Sequence, residues 1–192
     1  ADGKKILPLH GYGITLMSMG FLVDADEAVV WRGPMLMGAL QQFMGQVEWG
    51  NLDILLIDLP PGTGDVQLTL AQKCEIDGVV IVSTPQDVAL LDARKAMQMF
   101  FKLNVPILGM VENMFTHRCE NCGHETHLFG SGGVQSEATE SKIDFLGGIP
   151  LNIKVREASD SGVPIVYSDF NSPESNAFIS IADKLSKQLQ LI

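Results

Sequence analysis

The chain has 192 residues, 46% of them hydrophobic and 19% charged, the balance of a globular protein long enough to bury its own core. A net charge of −10 and a pI of about 4.7, with no basic run to offset them, exclude a sequence-tolerant hold on nucleic acid or on an anionic membrane. Three cysteines are too few for a disulfide framework, and two of them form a Cys-x-x-Cys, which fits a reducing, cytoplasmic setting and a metal or redox role.

Near the start, Lys4-Lys5 and the apolar stretch 14–23 have the outline of a secretory leader, but His10, Gly11, Tyr12 and Gly13 interrupt it and no small-x-small cleavage site follows. No leader is expected, and no apolar run approaches the roughly 18 residues that a membrane-spanning helix needs. Residues 5–9 are expected to form a strand and residues 11–13 a loop. Pro34 sits near the start of a predicted helix over 35–47, in which Met37, Leu40, Met44 and Val47 recur at three- and four-residue steps.

The stretch 52–65, Leu-Asp-Ile-Leu-Leu-Ile-Asp-Leu-Pro-Pro-Gly-Thr-Gly-Asp, organises the rest. Ile54 to Ile57 is a short branched run, as expected of a strand buried on both faces, and it ends on Asp58 before breaking at Pro60-Pro61-Gly62. Ligands of open α/β sheets sit at the carboxyl ends of such strands. An acid there, backed by a glycine-rich turn, is placed to hold a nucleotide's Mg²⁺ through water. A helix follows from Asp65, expected as its N-cap.

Residues 78–83 predict a second apolar strand, broken by Thr84-Pro85-Gln86. Asp87 is expected to cap a helix to about 103 that buries Leu90, Ala93, Met97, Phe100 and Phe101. Residues 105–111 predict a third buried strand, followed by an irregular Cys- and His-bearing segment over 113–133 and a short helix to about 139. Another strand, 143–149, is closed by Pro150. Ser172-Pro173-Glu174 opens the last helix with an N-cap and a first-turn proline, and its buried stripe is expected at Ile179, Ala182, Leu185 and Leu189. Apolar strands alternating with helices predict an α/β fold: a mostly parallel sheet, helices on both faces, one domain over 1–192.

Cys119-Glu120-Asn121-Cys122 is the second informative site. Two thiolates at this spacing can hold one metal ion or two corners of an iron–sulfur cluster, and both kinds of site usually want four ligands. Either His117, His124 or His127 completes a zinc site within the chain, or a second copy brings its own pair and the metal lies on the axis of a symmetric dimer. Spacing alone favours zinc. Cys74 reads as a small buried hydrophobe and the nine methionines as core filler. Asn113, at the end of a strand, can read a nucleotide base or bond backbone, and Arg156 can meet a phosphate or stand solvated on a helix. No Gly-x-x-x-x-Gly-Lys-[Ser/Thr] loop, Gly-x-Ser-x-Gly elbow or Ser/His/Asp order occurs in the sequence.

Trp31-Arg32-Gly33-Pro34-Met35, the string 58–65, Ser83-Thr84-Pro85-Gln86-Asp87, Val111-Glu112-Asn113-Met114, Cys119 with Cys122, and Arg156-Glu157-Ala158-Ser159-Asp160 all stand in register. Together they resemble the Mrp/ApbC family of iron–sulfur cluster carriers, relatives of the MinD and ParA ATPases, over nearly the whole chain. The resemblance implies a P-loop NTPase fold and a homodimer that binds ATP with Mg²⁺ and a bridging [4Fe–4S] cluster destined for apo iron–sulfur proteins. By it, Asp58 is the Walker B acid, Asn113 faces the adenine with the segment around Pro150 beside it, and Cys119 and Cys122 ligate the cluster in place of zinc.

Family members carry a Lys-Gly-Gly-Val-Gly-Lys-[Ser/Thr] loop upstream of the point where this chain begins. The resemblance therefore implies a portion of a longer protein, incomplete at the N-terminus, with ATP binding and hydrolysis belonging to the full-length form and apolar sheet edges left uncovered here. A MinD- or ParA-like positioning ATPase is a rival reading, opposed by the Cys-x-x-Cys and by a last helix too poor in Lys and Arg for membrane attachment. A zinc-stabilised interaction module without catalysis is a second.

Overall fold

Two compact units, Ala1–Glu75 and Ile76–Ile192, make up the computed structural model, which describes residues 5–23, 33–60, 62–119 and 121–191. Trp31, Arg32, Pro61 and Glu120 of the motifs above lie outside the described residues.

In the first unit, strands β1 (Leu9–Gly11) and β2 (Ile14–Leu16) form an antiparallel hairpin turned at Tyr12-Gly13. The strand expected over 5–9 is thereby corrected: Ile6 makes only an isolated bridge to Val47, and the pairing starts at Leu9 because the Tyr12-Gly13 turn selects its register. Helix α1 (Gly33–Gln46) matches the expected helix, and α2 (Asp65–Lys73) packs against it, with Thr69 donating to the Met37 sulfur at 3.4 Å. The N-cap of α2 is Gly64, not Asp65, which instead lies in the first turn, where its charge still favours the helix dipole.

The run 54–57 is not a strand. Residues 54–60 are irregular, with Leu56 88% exposed and Ile54 47% exposed, and among the described residues no strand hydrogen-bonds to them. Hydrophobic pattern supplies the propensity for a strand, but only a neighbouring ladder can satisfy its N–H and C=O groups.

The second unit is built on a four-stranded sheet. Strand β4 (Ile107–Arg118) is flanked in parallel by β3 (Val79–Ser83) and β6 (Phe145–Leu151), and its far end pairs antiparallel with the short β5 (Glu125–Thr126). The crossover from β3 to β4 runs through α3 (Asp87–Lys102), and that from the β4–β5 hairpin to β6 through α4 (Gly133–Ser141). After β6 come α5 (Ile153–Asp160), α6 (Ile165–Ser168) and α7 (Pro173–Gln188).

Helices cover both faces of this sheet. Val111 joins Leu146 of β6 and Ile181 of α7 in one buried cluster, while the next residue, Glu112, points oppositely and reaches the start of α4. Leu146 is 1% exposed, a burial worth about 2 kcal/mol. The stripe of α7 is centred on Ser175 and Ile181 rather than on Ala182, which is exposed. On α3, Leu90, Ala93, Met97 and Phe100 are buried as expected, but Phe101 is 51% exposed because it falls past the edge of that face. Its N-cap is Gln86, with Asp87 in the first turn. Ser172 caps α7 as expected, accepting from the Ser175 amide at 3.1 Å, with Pro173 at the first helical position. Met97 and Met110 fill the core, whereas Met35 and Met44 are exposed, and Cys74 is the half-buried C-cap of α2.

Candidate functional site

The largest departure from the expected segment over 113–133 is its order. Strand β4 does not stop at Val111 but runs seven residues further, to Arg118, and carries Asn113 and His117 within it. His117 and Arg118 pair with Thr126 and Glu125 of β5. Side chains extend the ladder: Thr126 Oγ1 donates to the His117 carbonyl and Thr116 Oγ1 to the Thr126 carbonyl, each at 3.4 Å. The His127 Nδ1–H donates to the Phe115 carbonyl at 2.9 Å, with the two rings edge to face at 5.5 Å. β-branched and aromatic residues at 115, 116 and 126 carry the strand signal of this hairpin.

The two cysteines therefore stand at the tip of a β-hairpin. The Cys119 amide donates to the His124 carbonyl at 2.9 Å, and the Gly123 amide donates back to the Cys119 carbonyl at 2.8 Å. Gly123 has φ of +70°, a conformation glycine adopts without a Cβ penalty, and this lets the chain reverse directly behind Cys122. Cys119 is half-buried and Cys122 exposed, and neither is in a disulfide. The Arg118 guanidinium lies over Gly123, so that a Cβ there would stand 3.5 Å from its terminal nitrogen.

Among the described residues, no three His, Cys, Asp or Glu side chains come together as a metal site. Among the described residues the zinc alternative completed by His117, His124 or His127 is not assembled, and His127 Nδ1 is engaged with the Phe115 carbonyl. What the tip offers is two soft thiol donors three residues apart, Cys119 half-buried and Cys122 exposed.

The base of the hairpin is held by a residue that the sequence reading passed over. Glu112 is fully buried, and its carboxylate accepts from the Gly132 amide at 3.3 Å and the Val134 amide at 3.0 Å. An acid inside an apolar strand is itself a signal, because such a charge persists only where donors meet it. Helix α4 supplies them from its first turn. Phe115 lies on Gly148 of β6, where a Cβ would approach its ring to 2.6 Å, so the β4 leg is also pinned from the other edge.

Asn113 pairs in register with Ile149, next to Pro150. The strand β6 continues through Pro150 to Leu151 instead of closing before it, and both Asn113 and Pro150 are half-buried. The Asn113 Oδ1 accepts from the Met114 amide at 3.0 Å, and Met114 has φ of +56°, a local kink where the β4–β6 register shifts. Arg156 is an exposed residue of α5 paired with Glu157 and Asp160, the solvated alternative. Asp58 belongs to the first unit, exposed on the irregular stretch 54–60. Downstream of it the Gln67 amide donates to the Pro60 carbonyl at 2.6 Å, tying the end of that stretch to α2.

Comparison with known proteins places the chain in a family. The model of the family described as ParA, NUBPL iron-transfer P-loop NTPase, matches residues 1–186. The iron–sulfur cluster transfer protein NUBPL of Mus musculus is 50% identical over 183 residues, covering 95% of this chain and 57% of that protein. The iron–sulfur cluster carrier protein of Pseudomonas fragi is 54% identical over 172 residues, 90% of this chain and 60% of that one. This chain thus spans little more than half the length of these curated relatives.

Among solved structures, the nucleotide-binding protein of Archaeoglobus fulgidus in complex with ADP superposes with a TM-score of 0.71 at 37% identity, over 91% of this chain and 66% of that one. The cell division ATPase MinD of Pyrococcus furiosus, at 21% identity and a TM-score of 0.58 over 80% of this chain and 57% of that one, shares the fold. With a family model matched over residues 1–186 and relatives near 50% identity over most of its length, the chain belongs to the NUBPL iron-transfer family of ParA-type P-loop NTPases, related in fold to MinD.

Proposed function

We propose that this chain is the cluster-bearing part of an iron–sulfur cluster carrier, which takes a [4Fe–4S] cluster as cargo and passes it to apo iron–sulfur proteins. The observation that carries the reading is the hairpin tip, where Cys119 and Cys122 offer two thiol ligands at a solvent-accessible turn without a third ligand among the described residues. Two thiolates fill half of the coordination that a cubane cluster asks for. A second copy related by a two-fold axis fills the rest, which makes the working form a homodimer bridged by its cargo. Half-ligation from each subunit on an exposed tip favours release as well as capture. The names of the mouse and Pseudomonas relatives support the same reading.

In the longer form, ATP with Mg²⁺ is the partner of the remaining site residues. Asp58 would hold the Mg²⁺ through its waters, and Asn113, with Pro150 beside it across the β4–β6 ladder, would bind the base. The phosphates need a cradle of backbone N–H groups that this sequence does not contain as a Walker A string. The setting is the cytoplasm, where thiols stay reduced.

Anaerobic reconstitution with iron and sulfide tests the reading, followed by visible absorbance, metal analysis and size exclusion, with Cys119→Ala and Cys122→Ala alongside. A brown dimer with about four iron per dimer, lost in both variants, is expected. A colourless protein that holds zinc through the cysteines would overturn it and leave a stapled loop.

A further inference from the structure

We propose that Glu112 is the positioning residue of the cysteine hairpin: its buried carboxylate ties the two legs together at their base and so fixes the spacing and aim of Cys119 and Cys122. The proposal rests on the reading of that thiol pair as the cluster site.

Strand β4 stays in the sheet past Glu112 as far as Arg118, and the returning leg enters α4 at its N-cap, Gly132, so the nineteen residues 113–131 form an excursion whose returning end meets the Glu112 carboxylate. Each carboxylate oxygen takes one amide from the returning end, Oε1 from Gly132 at 3.3 Å and Oε2 from Val134 at 3.0 Å. The returning end has no other choice of position. Gly132 is in the left-handed conformation at φ +70°, and Gly133 is pressed so close to the 83–87 turn that a Cβ would stand 2.8 Å from the Pro85 carbonyl oxygen.

The departing leg is equally constrained, since Glu112 pairs with Ser83 on one edge and with Gly148 on the other. Glu112 is thus the cross-piece between a leg held by the sheet and a leg held by α4. The β4–β5 ladder carries the cysteines at the far end, and Glu112 closes the opposite end of the same excursion. No substrate atom needs to touch Glu112 for this, and its 0% exposure puts it out of reach of one.

Two variants remove the tie from opposite sides. Glu112→Gln replaces one acceptor by an amide that faces an N–H, and Val134→Pro deletes the donor at a first-turn position where proline is tolerated. The probe is phenylarsine oxide, which needs no iron: two As–S bonds form to Cys119 and Cys122, and the oxide oxygen leaves as water with the two thiol protons. A paired dithiol holds it, and Cys119→Ser sets the single-thiol baseline.

Both variants are expected to release the arsenical to excess dithiothreitol about tenfold faster than the parent. Hydrogen exchange should rise in 113–134 while β3 and α7 keep their protection. Unchanged release in either folded variant overturns the proposal. So does faster release that comes only with raised exchange throughout the unit, which would make Glu112 a general stabiliser. Failure of the parent to take up iron and sulfide would instead refute the carrier reading, and the arsenical result would still decide whether Glu112 positions the thiols.

Discussion

Arg94 on α3 donates through Nε to Glu137 on α4 at 2.6 Å, joining a half-exposed cation to a carboxylate that is 7% exposed. The pair matters to the hairpin because α4 also carries the amides that meet Glu112, one turn earlier on the same helix. Arg94→Ala leaves Glu137 buried without its cation. The expected loss is about 1–2 kcal/mol, discounted from a fully buried pair because the guanidinium is 47% exposed. Chemical denaturation of the Arg94→Ala, Glu137→Gln and double variants measures it, with the double variant recovering part of the loss.

Gly123 occupies the left-handed region immediately after the second cysteine, beneath the Arg118 side chain. Gly123→Ala costs about 1–2 kcal/mol of local strain, which the chain relieves by opening the turn between the Cys119 carbonyl and residue 123. Reconstituted protein should lose its visible absorbance to a chelator faster in Gly123→Ala, while thermal unfolding of the bulk structure shifts little. A variant that retains its cluster like the parent would mean that the turn does not govern ligation.

Leu56 is 88% exposed on an unpaired stretch, although its sequence context is that of a buried strand. Leu56→Lys should therefore change the stability of this chain by less than about 0.5 kcal/mol and should lower its tendency to associate. Denaturant titration and light scattering check both. Destabilisation of about 2 kcal/mol or more would mean that the side chain is covered.

Lys5 and Glu48 pair at 2.6 Å beside the Ile6–Val47 bridge, and the hydrogen bond and charge of Glu48 raise the Lys5 pKa above its ordinary 10.5. A raised folded-state value contributes stability that is fully present below the unfolded pKa and is lost as pH rises through the folded one. The contribution of this exposed pair is thus constant at neutral pH and disappears only in strong alkali. NMR titration of the Lys5 ammonium should show its midpoint fall in Glu48→Gln, with the neutral-pH melting temperature little changed.

The zinc preference drawn from Cys119-Glu120-Asn121-Cys122 shows how far local pattern reaches. Spacing reports which donors are near in sequence, and His117, His124 and His127 are all near. It does not report that the β4–β5 ladder commits the His117 backbone and that Phe115 engages the His127 ring. The hairpin that carries both cysteines is created by non-local pairing.

By itself the sequence determined the elements whose signals are short-range. Periodicity marked α1 and the buried face of α3, Ser172-Pro173 marked the start of α7, and unbroken apolar runs marked β3 and the start of β4. The motif set also determined the family, since side chains that meet a cofactor or cargo must recur at fixed offsets whatever surrounds them. Only the tertiary structure decided which runs become strands. Ile54 to Asp58 and residues 107–111 are similarly apolar, yet the first is irregular and the second is the centre of the sheet, because a strand exists only where a neighbour takes its hydrogen bonds. The same dependence on partners turned Glu112 from one more acid in the count into the buried tie at the foot of the cysteine hairpin.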